Sequence, residues 1–342
     1  MFLYYSYFWR MLRFINSARG IAIFMVIVCH CGVLYNFESK YIRELYAYGQ
    51  LGVQLFFLVS AYTLCHSNDT RGKEKNGLIS FYIRRYFRIF PVYYFGILLY
   101  YVLSVLYHEG EHYTFSNILA NIFFYHGFVP SANNVIVPGG WSIGTEMIFY
   151  LIFPFLYPFL KKGNMILKSI VIIVLCYFLI YLMKVEVKIA TFWYYNILVQ
   201  LPVFLVGINF YRYNKKLVLK NAVLIFVGFT IITIVLWVLK LAIFIPVSAA
   251  FSFCGLVKIL EYDLFNFEFL EKLGKVSYSV YLLHFIFVFY LLPNQNQFIF
   301  IPLYIIVTTL CTYFLASLSE KYLERPFIQL GSKIISRIKN RV

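Results

Sequence analysis

Two chemically active side chains lie at either end of an apolar segment near the start of the chain. The segment reads "RGIAIFMVIVCHC" and carries Arg19 at one end and His30 near the other. In an α-helix, a separation of eleven residues returns the chain to within about 20° of its starting direction, about 16 Å along the axis. The two side chains are therefore predicted to share one helix face, where the cation can bind an anion and the imidazole can exchange a proton.

A carboxylate lies within a second apolar segment, "GGWSIGTEMIFYLIFP". Among the 14 Asp and Glu residues, Glu146 is the one that we place inside a predicted span. A charge in hydrocarbon is costly, so Glu146 is expected to face a helix-bundle interior and to have a function; an ion pair or hydrogen bond that fixes helix packing is the alternative. Trp141, Ser142 and Thr145 add polar groups beside it. His30 and Glu146 are predicted at similar depth, where they could meet.

An arginine cluster precedes the third long apolar segment, in "FYIRRYFRIFP". Arg85 and Arg88 are three residues apart and project from one face of a helix. Guanidinium groups suit phosphate oxygens in bidentate geometry. The cluster therefore indicates a site for a phosphate-bearing ligand, while the alternative is positive charge that sets topology and contacts lipid headgroups.

A second histidine, His284, lies in the middle of the apolar segment "VSYSVYLLHFIFVF". Together with Ser277, Tyr278 and Tyr281 it could line a polar seam or simply pack within the bundle. His126 follows a shorter apolar piece at 117–128 and is interpreted as interfacial. None of the histidines has a partner at the spacing of a metal site, so no metal is expected.

The composition defines a membrane protein. The chain has 342 residues, of which 62% are hydrophobic and 13% are charged, far from the balance of ordinary soluble domains. Several apolar runs are long enough to cross a bilayer. We predict an all-α, polytopic membrane helix bundle of about ten spans, at 19–35, 50–66, 89–107, 141–160, 165–183, 194–211, 219–239, 241–258, 276–292 and 299–318.

The positive charges predict the orientation of the spans. With both termini in the cytoplasm, the inner segments hold 25 of the 30 Lys and Arg residues, as the positive-inside rule requires. The formal charge of +16 is thereby explained without nucleic acid as a partner. The expected organisation is a cytoplasmic or interfacial segment at 1–18, a transmembrane domain at 19–318 and a basic cytoplasmic tail at 319–342.

At these residues the chain resembles the acyltransferase 3 family of integral membrane O-acyltransferases. Two positions differ from the usual pattern: Gln54 stands where an acid or asparagine is more common, and Ala61 where a glycine is more common. The matching motifs are, in chain order, Arg19 and His30; "GVQLFFLVSAYTL" from Gly52 to Leu64; Arg84, Arg85, Arg88 and Pro91; Trp141, Ser142, Glu146, Phe149 and Tyr150; Ser277, Tyr278, Tyr281 and His284; and "ERPF" from Glu324 to Phe327.

The resemblance implies that the protein transfers an acyl group, commonly acetyl from acetyl-CoA, to sugar hydroxyls of cell-surface polysaccharides. It implies a multi-pass protein of the bacterial inner (plasma) membrane, whose partners are acyl-CoA, a saccharide acceptor that can be lipid-linked, and membrane lipids. The acceptor, the acyl type and the oligomeric state are left open by the sequence.

The resemblance and the residue chemistry together assign provisional roles. His30 is the expected general base, supported by Glu146. Arg19, Arg85 and Arg88 are expected to hold the phosphates of acyl-CoA. The residues expected to bind substrate or stabilise the oxyanion are Trp141, Ser142, Tyr150, His284 and Ser60. Direct transfer and a covalent route through Ser60, Ser142 or His30 both remain open.

Two other functions are compatible with the same residues. Buried Glu and His also serve proton-coupled carriers, so a transporter or flippase for a lipid-linked saccharide is the main alternative. A sensor or assembly protein with a degenerate acyltransferase fold is the second, although the presence of Arg19, His30, Glu146 and His284 argues against it.

Overall fold

The protein is built from α-helices. The structure, a computed structural model, describes residues 2–33, 39–71, 74–107, 113–262, 267–291 and 300–340, with side chains from residue 13 onward except that of Val33. Throughout these ranges every regular element is helical, which confirms the all-α prediction. The α-helices are α1 (Phe2–Val33), α2 (Lys40–Ala47), α3 (Gly52–Arg71), α4 (Gly77–Leu106), α5 (Phe115–Ile122), α6 (Gly140–Lys161), α7 (Met165–Leu182), α8 (Phe192–Tyr195), α9 (Ile197–Tyr213), α10 (Leu219–Val238), α11 (Ile245–Leu260), α12 (Glu268–Lys275), α13 (Ser277–Phe285), α14 (Ile301–Ser319) and α15 (Arg325–Asn340).

The helices confirm a polytopic bundle. Within the described ranges, nine helical segments are long and apolar enough to cross a membrane, and a tenth forms if α12 and the segment Ser277–Leu291, bent by 76°, count as one span. Each of the ten predicted segments corresponds to one of these. The predicted ends at 34–35, 292 and 299 lie outside the described residues. The apolar piece at 117–128 forms α5 and a short 3₁₀ helix, His126–Phe128, rather than a span.

The chain divides into two compact units. The first comprises Met1–Ile23, Leu51–Asp69 and Phe155–Lys275. The second comprises Phe24–Gln50, Thr70–Pro154 and Val276–Val342.

The helices of the first unit approach one another closely at glycines. A Cβ atom at Gly274 would overlap the carbonyl oxygen of Asn16, and one at Gly207 would lie 2.7 Å from that of Leu58. Small residues at such contacts are typical of helix pairs in membranes, where close van der Waals packing stabilises association. Ser60 lies in this unit and is buried in α3.

In the second unit, two tyrosines attach α13 to α4. The Tyr100 hydroxyl donates a 2.5 Å hydrogen bond to the carbonyl oxygen of Leu282, and the Tyr278 hydroxyl donates a 2.7 Å bond to that of Ile89. Both tyrosines thus reach past side chains to the backbone of the neighbouring helix. A hydrogen bond in an apolar interior is costly to break, because the groups left behind find no water. The position of α13 beside α4 is therefore well defined.

Helical structure continues beyond the last predicted span. A π-helical stretch, Glu320–Glu324, joins α14 to α15. α15 packs against α4, where a Cβ atom at Gly331 would lie 2.9 Å from the Phe87 side chain. The segment that we expect to be a cytoplasmic tail is thus helical up to Asn340 and belongs to the second unit.

Candidate active site

Eight of the ten residues singled out in the sequence belong to the second unit. They are His30, Arg85, Arg88, Trp141, Ser142, Glu146, Tyr150 and His284. The other two, Arg19 and Ser60, belong to the first unit. Arg19 is partly exposed in the same continuous helix, α1, that carries His30. The carbonyl oxygen of Ser60 accepts a 2.9 Å hydrogen bond from Thr63 Oγ1.

The two intramembrane histidines lie side by side. The ring centroids of His30 and His284 are 5.3 Å apart, with 40° between the ring planes. Phe285 packs against both rings, at 4.6 Å from His30 and 3.9 Å from His284. His30 is partly exposed, whereas His284 is fully buried. The structure therefore pairs two motifs that are separated by more than two hundred residues in the sequence.

The backbone of α13 fixes the orientation of the His284 ring. Its Nδ1 atom lies 2.7 Å from the carbonyl oxygen of Tyr281 and 3.2 Å from that of Val280. A π-helical stretch, Ile286–Leu291, begins immediately after α13. Such π-bulges inside α-helices occur frequently at functional sites, where they change the direction of side chains. The local backbone thus supports a functional interpretation of His284.

The start of α6 is held against α13. Gly139 has φ of +75°, and a Cβ atom there would lie 2.8 Å from the Tyr281 hydroxyl oxygen, so the position requires glycine. The Tyr281 hydroxyl donates a 3.0 Å hydrogen bond to the carbonyl oxygen of Gly139 and accepts a 2.9 Å bond from Ser142 Oγ. Trp141 and Ser142 are both buried. The tryptophan–serine motif and the serine–tyrosine motif therefore form one polar cluster.

A second buried network supports the same turn, and it includes His126, whose place at the membrane interface stays a prediction. This residue is fully buried, and its Nε2 atom lies 2.9 Å from the carbonyl oxygen of Gly140 and 3.2 Å from the Tyr93 hydroxyl. The same Tyr93 hydroxyl donates a 2.7 Å bond to Asn121 Oδ1. A Cβ atom at Gly144 would lie 2.6 Å from His126 Nε2, so this glycine makes room for the ring.

Glu146 lies one helical turn before Tyr150 and accepts a 2.5 Å hydrogen bond from its hydroxyl. The guanidinium carbon of Arg85 is 5.7 Å from the Tyr150 ring centroid and 5.7 Å from that of Phe81. Arg85 also interacts electrostatically with Glu146. Cation–π contacts of this kind are stronger where water is excluded. Glu146 is thus placed with Tyr150 and Arg85, and its expected support of His30 stays a prediction.

The arginines of the α4 cluster differ in their surroundings. Arg84 Nη1 lies 3.1 Å from a carboxylate oxygen of Glu74, which is also 3.2 Å from Lys339 Nζ. Burial raises the pKa of Glu74, but the hydrogen bonds from Arg84 and Lys339 lower it by a larger amount. The pKa of Glu74 therefore lies below its ordinary value. Arg84 is therefore engaged in an ion-pair network, whereas the buried Nε of Arg85 has no hydrogen-bond partner among the described residues.

A buried acid, Glu324, was not recognised as a site residue in the sequence. It accepts a 2.5 Å hydrogen bond from Ser279 Oγ on α13, which also lies 2.9 Å from Ser319 Oγ. Glu324 also interacts electrostatically with Arg88. Its position in "ERPF", directly after an apolar span, was the available signal. Because the span was predicted to end at 318, Glu324 was not placed within continuing helix.

A cavity of about 340 Å³ lies between α4 and α6. The residues that line it include Arg85 and four aromatic residues, Tyr82, Tyr86, Phe87 and Tyr150. Across the part of the chain that the structure describes, no cluster of three potential metal ligands is found. The polar side chains described at the site carry imidazole, carboxylate, phenol and guanidinium groups.

These features define the class of protein. Buried titratable side chains on apolar helices, held together by hydrogen bonds to the backbone, are typical of a multi-pass membrane protein that acts on a substrate within or at the bilayer.

The chain belongs to the acyltransferase 3 family, whose model, described as an acyltransferase domain, matches residues 12–317. It is also similar to the peptidoglycan O-acetyltransferase OatA of Listeria monocytogenes serovar 1/2a (strain ATCC BAA-679 / EGD-e). The two are 30% identical over 178 residues, which cover 46% of this chain and 26% of the relative. The chain therefore matches about a quarter of that protein's length. No solved structure matches the chain significantly.

The Tyr281 hydroxyl is expected to stabilise the contact between α6 and α13. Tyr281→Phe deletes one donor and one acceptor and leaves the buried Gly139 carbonyl and Ser142 hydroxyl with fewer partners, at a cost of about 1 kcal/mol. The variant should unfold at a lower temperature than the wild type in the same detergent. Tyr181→Phe is the matched control, because Tyr181 is 77% exposed. Equal unfolding temperatures for Tyr281→Phe and the wild type would contradict the assigned role.

Proposed function

We propose that the protein is a membrane O-acyltransferase that moves an acyl group, acetyl in the simplest case, from acyl-CoA to a hydroxyl of a cell-surface carbohydrate. The observation that carries the proposal is the imidazole of His30, beside His284, in a chain whose residues 12–317 match an acyltransferase domain. The similarity to a peptidoglycan O-acetyltransferase supports a glycan as the acceptor. Such a glycan is assembled at the bacterial plasma membrane, where we place the protein.

Arg85 and Arg88 are proposed to bind the phosphates of the acyl-CoA donor. Guanidinium groups bind phosphate oxygens in bidentate geometry, and Arg85 retains a buried Nε without a hydrogen-bond partner in the described chain. Arg84 is less suitable, because its guanidinium is engaged with Glu74. The aromatic cavity between α4 and α6 adjoins Arg85 and offers ring faces on which a purine or a pantetheine arm can pack.

His30 is proposed to act as the general base. An alcohol is a poor nucleophile while it holds its proton, and a positioned imidazole can accept that proton as the oxygen attacks the acyl carbon. The thioester supplies the activated acyl group, and the imidazolium returns the proton to the departing thiolate. No covalent acyl-enzyme is needed for this route.

The remaining site residues are proposed to position the substrates. Trp141 carries an indole N–H that can stabilise developing negative charge on the acyl oxygen. Ser142 donates its one hydroxyl proton within the cluster with Tyr281, so its proposed role is to orient that tyrosine. Glu146 and Tyr150 form a hydrogen-bonded pair that can bind acceptor hydroxyls. Support of His30 by Glu146, and the roles expected of Arg19 and Ser60, stay predictions from the sequence.

The test of the function is the transfer of label from acetyl-labelled acetyl-CoA in membrane vesicles that contain the protein and cell-wall glycan precursors. We expect label on carbohydrate as an alkali-labile ester, and a loss of about 10²- to 10⁴-fold in His30→Ala, because the reaction then lacks its base. Glu146→Gln is expected to lose activity as well, while both variants insert normally.

Glu186→Gln serves as the control for the acidic variant, because Glu186 is exposed and pairs with Lys188. Label that crosses the membrane but never reaches carbohydrate would favour a transporter over an acyltransferase. Near-native transfer by either site variant would remove that residue from the mechanism.

The arginines make a separate prediction about the donor. Arg85→Ala and Arg88→Ala should each raise the KM for acetyl-CoA, because a charge-assisted contact to phosphate is lost. Wild-type affinity should fall as salt rises, and the variants should lose part of that dependence. Arg212→Ala is the control, since Arg212 is an exposed arginine of the first unit. If both site variants bind acetyl-CoA like the wild type, the cluster serves topology alone.

A further inference from the structure

His284 has a hydrogen-bonding capacity that the fold leaves unused. Its side chain is fully buried, and its Nε2 atom has no hydrogen-bond partner within the described chain. Buried polar atoms in folded proteins nearly always have a partner, because leaving one unsatisfied forfeits the hydrogen bonds it made to water. Exceptions are found where a group has a catalytic role. The Nε2 atom of His284 is such an exception, and its ring lies beside His30, the proposed general base.

The other ring nitrogen determines which form of the imidazole is present. Nδ1 faces the carbonyl oxygens of Val280 and Tyr281, and carbonyl oxygens only accept hydrogen bonds. Nδ1 must therefore carry a proton and donate it. In the neutral ring, Nε2 then has a lone pair and no proton, which is the form that can accept one. The same two carbonyls stabilise the ring when Nε2 becomes protonated, as an acidic partner does in hydrolase triads.

The position of the Nε2 lone pair depends on the contacts that hold α13 in place. Tyr278 and Tyr100 attach α13 to the backbone and side chains of α4, and Phe285 fills the space beside both imidazoles. With centroids 5.3 Å apart, the rings of His30 and His284 are close enough for their nitrogen atoms to exchange a proton directly or through one hydroxyl group.

We infer that His284 is the proton-relay partner of His30: the proton taken from the acceptor hydroxyl is shared between the two imidazoles, and His284 Nε2 is the second position that holds it. The inference rests on the proposed transfer to a hydroxyl. Two rings this close do not both hold an extra proton easily, since like charges repel. The pair therefore takes up one proton beyond the one that each neutral ring carries, which is the number that one turnover requires.

The step is balanced without any further reactant. A bond forms between the acceptor oxygen and the acyl carbon, and the bond between that carbon and the sulfur of the thioester breaks, with its electron pair leaving on sulfur. The hydroxyl proton passes to the imidazole pair and then to the thiolate. Nothing is oxidised or reduced.

The test compares His284→Gln and His284→Ala with the wild type in the labelled acetyl-CoA assay. Glutamine keeps hydrogen-bonding atoms and most of the volume but cannot take up a proton. We expect His284→Gln to lower kcat about 10²-fold with little change in the KM for acetyl-CoA. Free imidazole should restore part of the activity of His284→Ala, because the deleted ring leaves a space, but not that of His284→Gln. The double variant of His30 and His284 should be no slower than His30→Ala alone, as for residues that act as a unit.

The outcomes separate this inference from the proposed function. His66→Gln is the control, because His66 is a histidine of α3 in the first unit. If the wild-type protein transfers no label, the proposed acyltransferase function is itself contradicted. An active wild type with an active His284→Gln overturns the relay alone. Loss of activity in both His284 variants without imidazole rescue, together with a lower unfolding temperature, assigns His284 to packing and also overturns it.

Discussion

The hydrogen bond from His284 Nδ1 to the Tyr281 carbonyl is the interaction on which the site depends. It fixes the ring on its own helix, so everything that positions α13 also positions the imidazole. Tyr278 and Tyr100 hold α13 to α4, Ser279 binds Glu324, and Tyr281 binds the start of α6. A nine-residue helix thus connects the arginine-bearing helix with the tryptophan–serine turn, and it places the ring of His284 beside that of His30 on α1. Hydrogen bonds to backbone atoms give this arrangement its rigidity, since an apolar interior offers no competing water.

Glycines at close backbone contacts allow the polar residues of α6 to approach those of the neighbouring segments. Gly139 adopts a left-handed conformation that places its carbonyl against the Tyr281 hydroxyl, and Gly144 leaves room for the ring of His126. A larger residue at either position would push α6 away from its neighbours. The acyltransferase chemistry proposed for this family member needs hydrogen-bond donors and proton acceptors held in fixed geometry, and these glycines allow that closeness.

Much of the architecture was predictable because the hydropathy and charge that determine membrane spans can be read from consecutive residues of the sequence. All ten predicted spans correspond to helical segments, since a bilayer requires long apolar runs whatever their partners. The candidate residues were recognisable for a related reason: Glu146 and His284 interrupt hydrocarbon, where a polar group needs an explanation. The pairing of His30 with His284 was not predictable, because helical periodicity gives the face of one helix and not the identity of its neighbour. Likewise, His126 and Glu324 owe their burial to tertiary contacts, which the local sequence pattern does not reveal.

The most direct test of the account is the protonation of the His284 ring, measured by solid-state nuclear magnetic resonance on ¹⁵N-histidine-labelled protein in lipid bilayers. The signal assigned to His284 is the one that disappears in His284→Gln. Near neutral pH, we expect that signal to show hydrogen on Nδ1 and none on Nε2, with a through-space correlation to the ring of His30. A ring with hydrogen on Nε2 alone, or one remote from His30, would contradict the arrangement that the function requires.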